Sequence, residues 1–184
     1  MRKVILIHGW DGSPEREWFP WIREKLEKGG YEVVCPNLPE ANHPKLGPWL
    51  DMTEKEAGKI DENTIFVGHS LGCITALHFL AKRVSPDTKI AGAIFVAGFS
   101  GRIFEPQIAE FYDPDLDISA VAKKIGKKFV FYSDNDDYVS PETAHGFSRE
   151  LNAEEIFIPD KGHFSEDDDV FEFPELLKII FEMK

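Results

Sequence analysis

The sequence predicts an α/β fold: a mostly parallel sheet of about six strands, in the order 2-1-3-4-5-6, with helices on both faces. Three observations lead there. Short β-rich runs alternate with helical patterns along the chain, which implies right-handed crossovers between parallel strands. Most of the longer runs are near-continuously apolar, the pattern of strands covered on both faces. Near the middle, the run Thr64-Ile65-Phe66-Val67 leads into Gly68-His69-Ser70-Leu71-Gly72 and then a helical stretch, so a strand, a sharp turn and a helix follow one another.

The elements follow in order. A first strand at 3–8 ends in His8-Gly9-Trp10. A helix at 14–28 carries Pro14 in its first turn and stops at Gly29-Gly30. Its apolar face holds Trp18, Trp21, Ile22 and Leu26; Glu17, Lys25, Glu27 and Lys28 are expected to face solvent. Strands follow at 32–36, 64–68, 90–97, 128–133 and 155–158, and helices at 49–59, 71–84, 118–124, 141–151 and 173–182. Residues 100–117 form the only long irregular segment; with Phe99 it contributes Phe104, Phe111 and Tyr112, and it is too short for a lid domain. The acidic run Glu166-Asp167-Asp168-Asp169 reads as a solvated loop with N-cap character. Residues 1–184 are expected to form one domain, with no repeat or linker.

Composition narrows the function. The net charge of −12 argues against nucleic acid and anionic membranes as partners. The apolar run at the N-terminus is too short for a signal peptide, and no stretch is long enough to span a membrane, so a cytoplasmic protein is expected. Cys35 and Cys73 sit in different elements among apolar neighbours and are expected as buried free thiols, with no disulfide and no zinc site. No cofactor and no metal are expected.

The chemistry centres on Ser70. In a Gly-x-Ser-x-Gly turn between strand and helix, the glycines permit a bend that side chains would block. The serine is pushed into a strained, exposed conformation at a helix N-terminus, where free N–H groups suit an oxyanion. A serine hydroxyl is a weak nucleophile unless a base takes its proton and a third group orients that base. Partners are expected in the order acid, then histidine, each after a later strand. Ser133-Asp134-Asn135-Asp136-Asp137 follows one strand and Asp160-Lys161-Gly162-His163-Phe164 follows the next, so His163 is the expected base and the acid lies among the loop aspartates. The aspartate cluster also resembles the start of a calcium loop, but Val139 occupies the position that needs glycine and His145 the one that needs glutamate, so that reading fails. The oxyanion hole is expected from the backbone N–H groups of Leu71 and Trp10, the latter in the loop after the first strand. His69 is the variable residue of the turn, His78 lies along the following helix, and His43 and His145 have no supporting motif.

These four segments together, His8-Gly9-Trp10, Gly68-His69-Ser70-Leu71-Gly72, residues 133–139 and Gly162-His163-Phe164, resemble the α/β-hydrolases. More narrowly, the chain is similar to the small serine hydrolases of the retinoblastoma-binding protein 9 type, over nearly its whole length. The resemblance implies a compact sheet with little or no cap. It also implies that the acid stands three residues before a Val or Leu, which selects Asp136, then Asp137, then Asp134. The Leu-x-Cys-x-Glu motif that would imply retinoblastoma-protein binding is absent, and that partner is not expected.

The resulting expectation is a carboxylesterase-like serine hydrolase with Ser70, Asp136 and His163 as its triad, acting on a small-molecule acyl substrate. Trp10, Trp49, Phe99 and Phe104 are candidate substrate-binding residues, with Trp18 and Phe111 near the same face; aromatic walls favour uncharged acyl groups of modest size. The same triad would serve an amidase or peptidase, and a binding protein on a hydrolase scaffold is a further alternative.

Overall fold

The computed structural model describes residues 1–100 and 106–183. Its strands are β1 (Lys3–Ile7), β2 (Glu32–Val34), β3 (Thr64–His69), β4 (Ile90–Val96), β5 (Ile125–Tyr132) and β6 (Glu154–Phe157). They form one sheet in the order β2-β1-β3-β4-β5-β6, every pair parallel. All strands therefore end on the same side. The order reverses between β1 and β3, and in open α/β sheets the C-terminal side of such a switch point is where ligands bind.

The helices are α1 (Phe19–Lys28), α2 (Leu46–Ala57), α3 (Leu71–Lys82), α4 (Ile118–Ala122), α5 (Pro141–Leu151) and α6 (Pro174–Glu182). Alternate residues of the central strands feed two cores. Val4, Leu6, Ile65, Val67, Ile94 and Val96 pack with the apolar faces of α1 and α6. Ile5, Ile7, Phe66, Ala93 and Phe95 pack with α2, α3 and α5. Residues Leu71 to Leu80 of α3 are all buried, so this helix is enclosed on every side and anchors the turn that precedes it.

Several details differ from the sequence reading, and three bear on the site or the sheet. The first helix begins at Phe19 rather than residue 14, because Glu17 has φ +56° and Pro20 occupies the first helical turn. Glu17 consequently turns inward instead of facing solvent. The strand β5 starts at Ile125, three residues before the expected start at residue 128. Ile125 pairs with Ile90, and the Lys127 and Lys128 ammonium groups bond backbone carbonyls of Glu182 (3.1 Å) and Ile125 (3.2 Å). The acidic run is not merely solvated: Glu166–Asp168 is a 3-10 turn whose Asp168 carboxylate accepts from the Ser165 hydroxyl at 2.7 Å. Among the described residues no helix is long and apolar enough to cross a membrane. Cys73 is buried and Cys35 half-buried, both free; burial pushes the Cys35 thiol up to about 12.

Candidate functional site

The turn between β3 and α3 is built by its neighbours as much as by its own residues. A Cβ on Gly68 would lie 2.7 Å from the Cys73 nitrogen, and one on Gly72 would collide with the carbonyl of Ile7. Neither position accepts a side chain without moving backbone. Ser70 between them adopts φ +51°, a conformation that costs energy for a residue with a Cβ and is imposed by the packing around it. Its N–H bonds Val96 at 2.9 Å, which ties the turn to the end of β4.

Gly9, after β1, approaches the same turn from the side; a Cβ there would sit 3.0 Å from the Ser70 Cβ. The loop is held by His8, which is fully buried. Its Nδ1–H donates to the Gly9 carbonyl at 2.9 Å, and its Nε2 accepts from Leu38 N–H at 3.1 Å. That pattern requires a neutral ring, and burial lowers the His8 pKa accordingly. Among the described residues the Trp10 and Leu71 backbone N–H groups have no protein acceptor.

Two loops after β5 and β6 are sewn together. Asp134 accepts from Asp160 N–H (3.0 Å), the Ser133 hydroxyl from Lys161 N–H (2.9 Å), and Asn135 from Gly162 N–H (2.7 Å). Asp136 is the aspartate that reaches the histidine: both its oxygens face His163 Nδ1, at 3.0 and 2.9 Å. Its Oδ1 also accepts from the Tyr138 and Val139 N–H groups, at 2.8 and 2.9 Å. The Asp136 side chain is 1 % exposed, whereas Asp137 points to solvent. Gly162 has φ +50°, and a Cβ on it would strike the Asp168 carboxylate, which accepts from His163 N–H at 2.9 Å. Among the described residues no hydrogen bond joins the Ser70 hydroxyl to His163.

Trp49, Phe99, Trp18 and Phe111 belong to the core, not to an open wall. Trp49 is fully buried, donates to the Pro39 carbonyl at 2.9 Å and packs edge-on against His8 and Phe111. Phe99 is 2 % exposed. An aromatic residue near a strand end satisfies both expectations, and burial of a large apolar surface favours the core. Trp10 is half-buried, its indole N–H donating to Asn42 at 3.0 Å. Phe104 lies outside the described residues. An aromatic group missed by the sequence reading is Tyr138, 69 % exposed, with its ring 4.9 Å from that of His163. Its place next to the acid loop was the available signal.

The other missed residues are Glu17 and His69. His69 Nδ1 lies 3.1 Å from Glu17 Oε2, and its Nε2 lies 2.7 Å from the His163 carbonyl oxygen. Burial is the largest influence on each group and opposes its charge. For His69 it is outweighed by the adjacent Glu17 carboxylate, the His163 carbonyl and the Asp136 charge, so the pKa rises. For Glu17 it is outweighed by His69, with smaller help from His163 and Arg16, so the pKa falls.

A family model described as serine hydrolase matches residues 4–182. The ydeN gene product of Bacillus subtilis is 29 % identical over 174 residues, covering 94 % of this chain and 91 % of the relative. Its crystal structure superposes with a TM-score of 0.91, covering 100 % of this chain and 98 % of that one at 27 % identity. The rat serine hydrolase RBBP9 is 23 % identical over 186 residues, covering 98 % and 95 % of the two chains. Est1E of Butyrivibrio proteoclasticus, solved with ferulic acid bound, shares the fold at TM-score 0.70 and 17 % identity, covering 100 % and 89 %.

Proposed function

Because the chain belongs to the serine hydrolase family, we propose that it cleaves small acyl esters through an acyl-enzyme on Ser70. The observation that carries this reading is the Asp136–His163 pair, its two oxygens on one ring nitrogen, in a loop bonded to the residue before Ser70. A histidine that donates Nδ1–H to a carboxylate keeps Nε2 as its basic atom. In the proposed reaction Ser70 Oγ attacks the acyl carbon and its proton passes to His163 Nε2. The oxyanion is held by the N–H groups of Leu71 and Trp10, which have no acceptor of their own among the described residues. His163 then protonates the departing alkoxide. Water, deprotonated by His163, attacks the acyl-enzyme and releases the acid and Ser70.

Tyr138 and Trp10 border this site and are its candidate substrate contacts. Aromatic surfaces of this kind suit uncharged groups of modest size. A panel of short p-nitrophenyl esters and matching anilides tests the reading. Wild-type protein is expected to turn over the esters, and Ser70→Ala to lose at least about 10⁴-fold in kcat while remaining folded. Full activity in Ser70→Ala would remove Ser70 from the mechanism. Faster cleavage of the anilides would keep the mechanism and change the substrate class to amides.

A further inference from the structure

We propose that Glu17 and His69 act together as a positioning pair that holds the His163 loop in its working place; this rests on the reading of His163 as the base. Both His69 nitrogens face acceptors, Glu17 Oε2 at 3.1 Å and the His163 carbonyl at 2.7 Å. Nε2–H donates to the His163 carbonyl, and with the Glu17 carboxylate beside Nδ1 in a buried setting the charges balance when the ring is an imidazolium. Glu17 supplies the balancing charge from a backbone conformation, φ +56°, that glutamate rarely adopts. The Nδ1–Oε2 contact is out of line for a well-formed hydrogen bond, so the attraction is chiefly that of charges.

The pair is the centre of a larger seam. Arg16 bonds Glu166 through its Nε at 2.9 Å, and the Trp18 indole N–H donates to the Phe164 carbonyl at 3.1 Å. Three consecutive residues, 16 to 18, thus fasten the residues around His163, the middle one through His69. The groups facing His69 come from four directions: Glu17 before α1, His163 and Asp136 from the loops after β6 and β5, and His8 at the end of β1. Trp18 and Phe19 close the remaining side with apolar rings at 6.0 and 6.5 Å. Because Glu17 and His69 neutralise one another, the pair does not oppose the positive charge that His163 acquires during acyl transfer. Without Glu17, burial would favour a neutral His69, and the charge attraction that ties the ring to residue 17 would be lost.

The experiment combines histidine side-chain ¹H–¹⁵N spectra with ester hydrolysis and fluorophosphonate labelling rates across pH, on the wild type and Glu17→Gln. Wild-type His69 is expected to carry protons on both nitrogens at neutral pH, and Glu17→Gln to leave it neutral. The variant should lose about ten- to hundredfold in kcat, with KM little changed, and its alkaline loss of activity should begin at lower pH. A folded Glu17→Gln protein with wild-type kcat and pH profile would overturn the proposal, as would a neutral His69 in the wild type. Should the variant not fold, the wild type carries the same test: His69 deprotonation must coincide with the alkaline loss of kcat, and titration without such a loss overturns the proposal. A wild type unreactive to the probe and the esters would instead overturn the reading of Ser70 and His163 themselves.

Discussion

Asp136 holds its own loop and the ring of His163 with the same carboxylate. Its Oδ1 is bonded by the N–H groups of Tyr138 and Val139, so its orientation is set before the histidine arrives. Asp136→Asn should therefore lower kcat by about 10⁴-fold without unfolding the protein, because an amide N–H would favour the wrong imidazole tautomer. Asp137→Asn should change kcat by less than about twofold, since that side chain is exposed. Steady-state ester kinetics separate the two, and the reverse ranking would move the acid by one position. Trp49 makes the opposite kind of prediction. It is fully buried, so Trp49→Ala should cost about 3–5 kcal/mol of stability in urea titrations. A variant of wild-type stability with a raised KM would return Trp49 to the substrate pocket. The aspartate order was legible only through the family pattern, because four acidic or amide side chains in a row are equivalent until the loop is folded. Asp134 and Asn135 turn out to bind the neighbouring loop instead. Glu17 was assigned to solvent because helical periodicity was extended through a residue whose φ breaks the helix.

At the level of elements, the strands and the turn at residues 68–72 were readable because their physics is local. An apolar run bounded by glycines has few alternatives, and the collisions that a side chain would meet at Gly68 or Gly72 are with adjacent backbone. The parallel sheet followed from strand–helix alternation and handedness, and the structure has it, with the first strand between the second and third as the expected order placed it. What could not be read was loop-to-loop bonding, which depends on distant segments meeting. The ends of β5 and α1 moved for the same reason: Ile125 is recruited by Ile90 across the sheet, and Arg16 and Trp18 are recruited by the residues after His163. The bond from Gly162 N–H to Asn135 is the most direct test of that seam. Asn135→Ala should leave the fold intact, speed hydrogen exchange at Gly162 and lower kcat. Unchanged exchange at that amide would show that the loops do not depend on one another.

Across the whole molecule, buried ionisable groups set the pH range of stability. Burial lowers the pKa of His8 and of His78, whose Nε2 donates to the Phe111 carbonyl at 2.9 Å. The unfolded chain therefore binds protons that the native state refuses, and their contribution is lost as pH falls below the ordinary histidine value of 6.5. Glu17 has a depressed pKa, so its contribution is present above the ordinary value of 4.5 and disappears as pH falls through the native one. His69 has the opposite sign: its pKa is raised, so its contribution is full below 6.5 and is lost as pH rises through the native value. Urea midpoints measured against pH should show a maximum between these limits, declining on both sides. Glu17→Gln should remove the His69 part of the alkaline decline, and an unaltered alkaline limb would contradict the sign assigned to His69.

The proposed reaction requires an activated serine at position 70. Its most direct measurement is peptide mass spectrometry after treatment with a fluorophosphonate. One stoichiometric adduct is expected, on the peptide containing Ser70, absent from a folded Ser70→Ala variant. An adduct that persists in that variant, or a folded wild-type protein that takes none, would contradict the proposed reaction.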